Sequence, residues 1–274
     1  MDNYIIDLCL KWNHPNPKKR KLSPYKHIPI VYGAKIKYAM DPPFSVPLDN
    51  KGVLYVQSIV GALLYYAQAI GNKLFVGLNK LGQQQASSTK DTNAALLQLL
   101  NYLATYPNDG ILYQASGMGL SVHSDAAYLN VRKSRSRSGA HIMLSEDTPV
   151  LTRNGPVLTV AQIIKFFMSS DVQSEISGLF ICAKAIVQLR HSLIEIGWPN
   201  LKSPIQFDNS TTVWVANDTI IQCKTKTMNM QYHWLRFREA QGQFRFFRAP
   251  GDNNLANYRT KNHLPLYHEA HRPI

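Results

Sequence analysis

Three acidic side chains stand where a carboxylate needs a reason: Asp125, Glu175 and Asp208. Asp125 closes the strand-like run Leu120-Ser121-Val122-His123-Ser124, and Ala126 and Ala127 after it leave space beside the carboxylate. Asp208 ends a second short strand, Pro204-Ile205-Gln206-Phe207. Glu175 falls near the start of an apolar helix, on the stripe Glu175, Leu179, Cys182, Ile186, Leu189 and Leu193, where a buried charge is costly unless something compensates it. Alone, each acid is more often a turn or cap residue than a catalytic one. If the three converge, their oxygens suit a hard divalent cation.

The elements that must carry these acids follow from periodicity. Ile111-Leu112-Tyr113, Leu120 to Ser124, Ala140 to Leu144 and Val157 to Val160 are short apolar runs separated by Gly, Ser, Asn and Pro, which predicts an antiparallel meander. Ser170 to Ile196 predicts one long helix, capped by Ser170 or Asp171 and closed by Gly197. A strand at Ile205 to Asp208, a helical region reaching Ala240, a strand at Phe244 to Arg248 and a closing helix from Asn253 or Asn254 complete an α/β domain. The Pro- and His-rich tail after Lys261 is expected to be loosely held.

Upstream, helical spacing predicts helices at Tyr4 to Trp12, Tyr55 to Ala69 and Asp91 to Thr105, the last capped by Thr89 or Asp91. Prolines 24, 29, 42, 43 and 47 keep residues 23–50 extended, and a Gln/Ser-rich loop is expected at 82–90. The organisation expected is therefore a small, mainly helical unit at 1–108 without chemistry of its own, then an α/β domain at 109–274.

Composition narrows the partner. The 274 residues carry a net charge of +13 and are 45% hydrophobic, a globular chain that attracts polyanions, nucleic acid first among them. Cys9, Cys182 and Cys223 are far apart and form no CxxC pair, which argues against a disulfide framework or a zinc site and fits a reducing compartment. The most apolar window, Val53 to Ala69, is broken by Gln57, Ser58 and Gln68 and falls short of the ~20 apolar residues of a spanning helix, so no membrane partner is expected. Lys18-Lys19-Arg20-Lys21 could act as a nuclear-import signal or a phosphate-contacting patch, and an intracellular location, cytoplasmic or nuclear, is expected.

With the acids and elements in place, a resemblance emerges. His123-Ser124-Asp125-Ala126-Ala127-Tyr128 followed by Arg135-Ser136-Arg137-Ser138-Gly139 as a turn, Ser174-Glu175-Ile176-Ser177-Gly178-Leu179, Gln206-Phe207-Asp208-Asn209-Ser210, and Lys224-Thr225-Lys226 through His233 and Arg236 resemble, in order, the blocks of the ribonuclease H domain of copia-type LTR retrotransposon polyproteins. Asn254-Leu255-Ala256-Asn257-Tyr258-Arg259-Thr260-Lys261 is similar to the family's last signature, but Asn257 stands where that family has an acid, and Asn229 is likewise an amide. Tyr55 to Leu64 resembles the helix that follows the polymerase palm in the same polyproteins. No Y-x-D-D motif occurs, so DNA synthesis is not expected of these residues.

The resemblance implies a ribonuclease H-like mixed sheet flanked by helices, preceded by a reverse transcriptase thumb or connection remnant. It implies cleavage of the RNA strand of RNA/DNA hybrids with two Mg²⁺ or Mn²⁺ ions, Asp125 bridging both, Glu175 and Asp208 holding one each, and Asn257 in the fourth ligand position without its charge. Asp252 is a nearby acid that could substitute. Arg135, Arg137, Asn209, Lys226 and Arg236 become candidate contacts to the hybrid's backbone and 2′-hydroxyls. His233 is expected to pack or hydrogen-bond, His123 receives no role, and association with other polyprotein parts is implied. The competing reading is an inactive retroelement remnant that only binds nucleic acid. A transposase or integrase fits less well, because those enzymes place the Glu after the second Asp.

Overall fold

The computed structural model describes residues 3–27, 44–146, 153–198, 201–208 and 226–271, with side chains from Met230 onward in the last segment. Asn209 and the side chains of Lys226 and Asn229 lie outside the described residues. The chain divides into two compact units, one running from Leu112 to Lys261 and one combining the helices before Ile111 with the closing segment from Asn262.

The second unit is built on a five-stranded sheet of order β3-β2-β1-β4-β5. Gly119–Val131 (β1) and Arg135–Ser145 (β2) form a long antiparallel hairpin that pairs Asp125 with Gly139. Its turn takes positive φ at Lys133 (59°) and Ser134 (50°), and an irregularity between Ala127 and Val131 takes it at Leu129 (52°). Pro156–Ile163 (β3) pairs antiparallel with β2, while Ser203–Phe207 (β4) runs parallel to β1 and Phe244–Arg248 (β5) parallel to β4. An antiparallel hairpin and edge strand followed by two crossover strands is the expected ribonuclease H-like mixed sheet.

Several local expectations change. Asp125 does not end its strand; β1 continues to Val131, paired with β2 through Ala127 and again at Val131. Through the same pairing Arg135 to Gly139 is the start of β2 and not a turn. Ile111-Leu112-Tyr113 forms no strand, and Leu112 and Tyr113 are exposed.

Asp171–Glu195 (α5) is capped by the Ser170 side chain, which accepts from the Gln173 N–H at 3.2 Å, and ends before Gly197 at φ +85°. By length and composition it could cross a bilayer. Its apolar face packs on the sheet instead: Ile176, Leu179, Cys182 and Ile186 meet Leu120, Val122, Ala140, Ile142, Ile205 and Phe207, and Tyr232 and Leu235 of Lys226–Ala240 (α6) join the same core. Leu189 and Leu193 are partly buried against it.

In the first unit, Tyr4–Lys11 (α1), Asn50–Ala69 (α2), Phe75–Gln84 (α3) and Lys90–Thr105 (α4) bury one apolar stripe each. Asp49 caps α2 through the Gly52 N–H at 2.8 Å, and Thr89 and Thr92 form a reciprocal capping box on α4. Helix α3 occupies part of the stretch expected as loop; Gly77 and Gly82 within it weaken the helical signal in the sequence. The tail is likewise more ordered than expected. Pro265–Ala270 forms a short helix (α8) whose His268 is fully buried, edge-on to Tyr25 with centroids 5.2 Å apart.

Candidate metal centre

Strand alternation decides what faces what on β1. Leu120, Val122, Ser124 and Ala126 turn toward α5, where Ser124 meets Cys182 and Ala126 stands opposite Gly178. Ser121, His123 and Asp125 turn the other way, His123 and Asp125 toward residues 254–261. The last β1–β4 pair is His123 with Gln206, so Asp125 and Asp208 stand level with each other just beyond the end of parallel pairing. Glu175 enters from the beginning of α5. Oxygen atoms of Asp125, Glu175 and Asp208 all lie within 4.8 Å of one another, the one such group of potential metal ligands among the described residues.

Two glycines permit the approach. A Cβ on Gly178 would stand 3.1 Å from the Ala126 Cβ, tighter than ordinary packing, so the bare backbone there eases the close approach of α5 to β1 that brings Glu175 to the cluster. On the opposite face, a Cβ on Gly139 would stand 2.7 Å from the Thr260 Cγ2 and 2.8 Å from the Arg259 Cβ. The short helix Asn257–Thr260 (α7) thus lies directly on β2 beside Asp125.

Residues 254–261 are pinned to β1. Asn254 Nδ2 donates to the Ser124 carbonyl at 2.8 Å, and the Leu255 N–H donates to His123 Nδ1 at 3.0 Å. His123 therefore has a positioning role that its sequence context did not suggest; burial is the first cause that lowers its pKa, to about 4, which keeps the ring a neutral acceptor. At the end of α7, Thr260 Oγ1 donates to Asp125 Oδ2, and Lys261 Nζ lies 3.3 Å from Asp125 Oδ1. Lys261 Nζ also donates to Asn257 Oδ1 at 2.5 Å, while Asn257 Nδ2 donates to the Gly251 carbonyl at 2.6 Å.

The cluster is electrostatically loaded. Asp125, 1% exposed, has its carboxyl pushed up by burial, an effect that Lys261 and the Thr260 hydroxyl oppose and Asp208 reinforces. Glu175 is pushed well above the ordinary carboxylate range, first by burial and then by Asp125, Asp208 and Asp171, with Lys261 opposing. Lys261 loses solvation on burial, yet Asp125, Asp208 and Glu175 together hold its pKa above the usual value. Oxygen ligands set this close, with one ammonium against three carboxylates, fit a hard divalent cation better than any soft metal.

The remaining expected residues are scattered. Asn257 is buried beside the cluster, and its side-chain amide is linked to Asp125 through Lys261. Asp252 is exposed. Arg135 is half-buried at the start of β2, and Arg236 is half-buried on α6 with its guanidinium 5.5 Å above the Tyr232 ring. Arg137 is 2% exposed and sits between Ala127 and Ile163 in paired strands on both sides, so it is not the exposed duplex contact that its motif suggested. His233 is exposed, edge-on to Tyr232, and not packed into the core. Thr260 and Lys261 went unremarked as partners of Asp125; the available signal was their adjacency in the last block, two donors next to an expected ligand.

No protein-family model matches the chain. The retrovirus-related Pol polyprotein from transposon RE1 of Arabidopsis thaliana is 22% identical over 262 residues, 94% of this chain and 16% of the relative. The Pol polyprotein from transposon RE2 of the same plant is 23% identical over 207 residues, 75% of this chain and 14% of the relative. The chain therefore spans about one-sixth of the length of the curated relatives it matches. Among solved structures, the N-terminal RNase H domain of rv2228c from Mycobacterium tuberculosis is similar with TM-score 0.37 and 15% identity, covering 53% of this chain and 91% of that one. LC11-RNase H1, isolated from compost by a metagenomic approach, is similar with TM-score 0.38 and 11% identity, covering 52% and 93%. The homologues of this chain are retrovirus-related Pol polyproteins of transposons, aligned over most of its length.

Proposed function

We propose that this chain is a retrotransposon-derived ribonuclease H that hydrolyses the RNA strand of RNA/DNA hybrids with divalent metal ions, Mg²⁺ or Mn²⁺. The observation that carries the reading is the meeting of Asp125, Glu175 and Asp208, from three separate elements, with oxygens within 4.8 Å of one another. Metal ions bound there supply Lewis-acid stabilisation of the attacking and leaving oxygens of the phosphodiester. Asp125, the most buried of the three and level with Asp208, would be the shared ligand, Glu175 and Asp208 would complete the carboxylate set, and Asn257 would offer a neutral oxygen once Lys261 releases it.

The net charge of +13 supplies the attraction to a polyanionic duplex. Arg135 and Arg236, both half-buried, are the described candidates for phosphate or 2′-hydroxyl contacts, and Asn209 and Lys226 remain candidates by motif. Because the relatives are Pol polyproteins and this chain spans about one-sixth of their length, the other parts of such a polyprotein are the natural partners of the helical unit. That unit we read as a reverse transcriptase thumb or connection remnant.

One observation favours a second reading, an inactive remnant that binds nucleic acid without cutting it. Asn257 brings no charge, and both ends of its amide are already engaged, by Gly251 and by Lys261. Incubating the protein with an end-labelled RNA/DNA hybrid, and in parallel with RNA/RNA and DNA/DNA duplexes, in Mg²⁺ or Mn²⁺ separates the two. Cleavage confined to the hybrid's RNA strand supports the enzyme; tight binding without cleavage supports the remnant.

A further inference from the structure

We propose that the ammonium of Lys261 is an internal counter-ion that competes with divalent cations for Asp125 and so sets the metal affinity of the cluster. The inference rests on the metal-centre reading above and assigns a role to a residue outside the carboxylate set.

In the proposed metal centre Asp125 would be the shared ligand, and both of its oxygens already have donors. Oδ2 accepts from the Thr260 hydroxyl, and Oδ1 has Lys261 Nζ at 3.3 Å. The two donors differ in kind. Thr260 is neutral, and the second lone pair of the oxygen it bonds remains open to a cation. Lys261 is a full positive charge, and it repels any ion approaching the same carboxylate.

Its position is built and not incidental. The Lys261 backbone N–H donates to the Asn257 carbonyl at 3.1 Å, so the two residues lie one helical turn apart on one face. Asn257 Nδ2 is fixed by the Gly251 carbonyl at 2.6 Å, which turns Oδ1 toward Lys261 Nζ, 2.5 Å away. Lys261 thus bridges Asp125 and Asn257, two oxygens that the proposed metal centre would draw on. A carboxylate at 257 would set an anion against the Gly251 carbonyl; the amide satisfies that carbonyl and cradles the ammonium. The Lys261 side chain keeps 38% exposure, against 1% for Asp125, so the stem has room to withdraw to solvent.

The test is titration of the metal-free full chain with Mn²⁺, followed by calorimetry or by the Mn²⁺ electron paramagnetic resonance signal. The proteins compared are the wild type, Lys261→Met, Lys261→Arg and Asp125→Asn. Lys261→Met, which keeps the aliphatic stem, is expected to bind Mn²⁺ about tenfold more tightly than the wild type, since removing a unit charge this close in a partly buried site is worth at least that much. Lys261→Arg, which keeps the charge, shows no such gain. Thermal stability gives a second readout: Lys261→Met melts below the wild type in chelator and gains more than the wild type from saturating Mn²⁺. This thermal readout holds even if the variant is marginally folded.

Mn²⁺ affinity that is unchanged or weaker in Lys261→Met, while Asp125→Asn abolishes binding, overturns the counter-ion role and leaves the metal centre standing. Absence of Mn²⁺ binding in the wild type and in Lys261→Met alike overturns the metal-centre reading itself.

Discussion

Adding one methyl group at Gly139 tests whether α7 is held against the sheet as tightly as the site requires. Gly139 is the strand partner of Asp125 and does not use a left-handed backbone, so Gly139→Ala introduces no conformational strain of its own. The new Cβ would stand 2.7 Å from the Thr260 Cγ2, 2.8 Å from the Arg259 Cβ and 3.1 Å from the Ala256 carbonyl oxygen. Carbon atoms pack at about 3.5–4.0 Å, so the two segments must part by roughly 1 Å. A Cβ moves only with its backbone, and Ala256, Arg259 and Thr260 are all buried, so no flexible side-chain end can yield instead. Overpacking of this kind costs about 1–3 kcal/mol. The assay is the urea midpoint together with hydrogen–deuterium exchange: the midpoint falls, and exchange rises in residues 251–261 while α5 stays protected. Gly82→Ala is the control. It lies within α3 with nothing inside 4 Å of the new Cβ, and better helix propensity should stabilise it by about 0.5–1 kcal/mol. An unshifted midpoint and unchanged exchange in Gly139→Ala would refute the close docking of α7.

Two further predictions concern charge. Glu175→Gln removes a carboxylate that burial and three neighbouring acids oppose, so in chelator the variant should be more stable than the wild type by about 1–3 kcal/mol; lower stability in chelator would mean that Lys261 compensates Glu175 by more than burial and those acids oppose it. His268, fully buried, has its pKa lowered to about 3, first by burial and then by His263, His271 and Lys73. Between that value and the ~6.5 of an unfolded histidine the unfolded chain binds the extra proton, so stability is present above pH ~6.5 and is lost as pH falls, by about 2 kcal/mol at pH 5. Comparing urea midpoints at pH 7 and 5, the drop should shrink by about that amount in His268→Phe, and an equal drop in both proteins would rule out this linkage.

The helices with uninterrupted stripes and local caps were legible in the sequence. Ser170 before Asp171 and Thr89 before Lys90 mark their helix starts because a cap is a short-range bond that its own residue type announces. The β1–β2 hairpin was legible only in part. Arg135-Ser136-Arg137-Ser138-Gly139 has turn composition, and its strand character comes from pairing with β1 and β3, which no local pattern records. The tail was misjudged for a similar reason, since His268 is ordered by Tyr25 and Tyr102, far away in sequence.

At the site, the three acids were readable because each sits in a short distinctive block, and their convergence follows from register: His123 opposite Gln206 puts Asp125 level with Asp208. The hydroxyl and ammonium that serve Asp125 come from 135 and 136 residues away. Lysine and threonine are too common on surfaces for their type alone to reveal such a role. Gly139 and Gly178 stood in the quoted motifs, but their purpose is visible only when the atoms that would crowd a Cβ are known.

The central claim is that Asp125, Glu175 and Asp208 form a metal centre that hydrolyses RNA within an RNA/DNA hybrid. The most direct measurement follows the RNA strand of an end-labelled hybrid on a sequencing gel, with wild type and Asp125→Asn at equal concentration in Mn²⁺ and in chelator. The account predicts Mn²⁺-dependent cleavage by the wild type and none by Asp125→Asn. Cleavage that persists in Asp125→Asn or in chelator, or an intact RNA strand under wild-type protein that binds the hybrid, would contradict it.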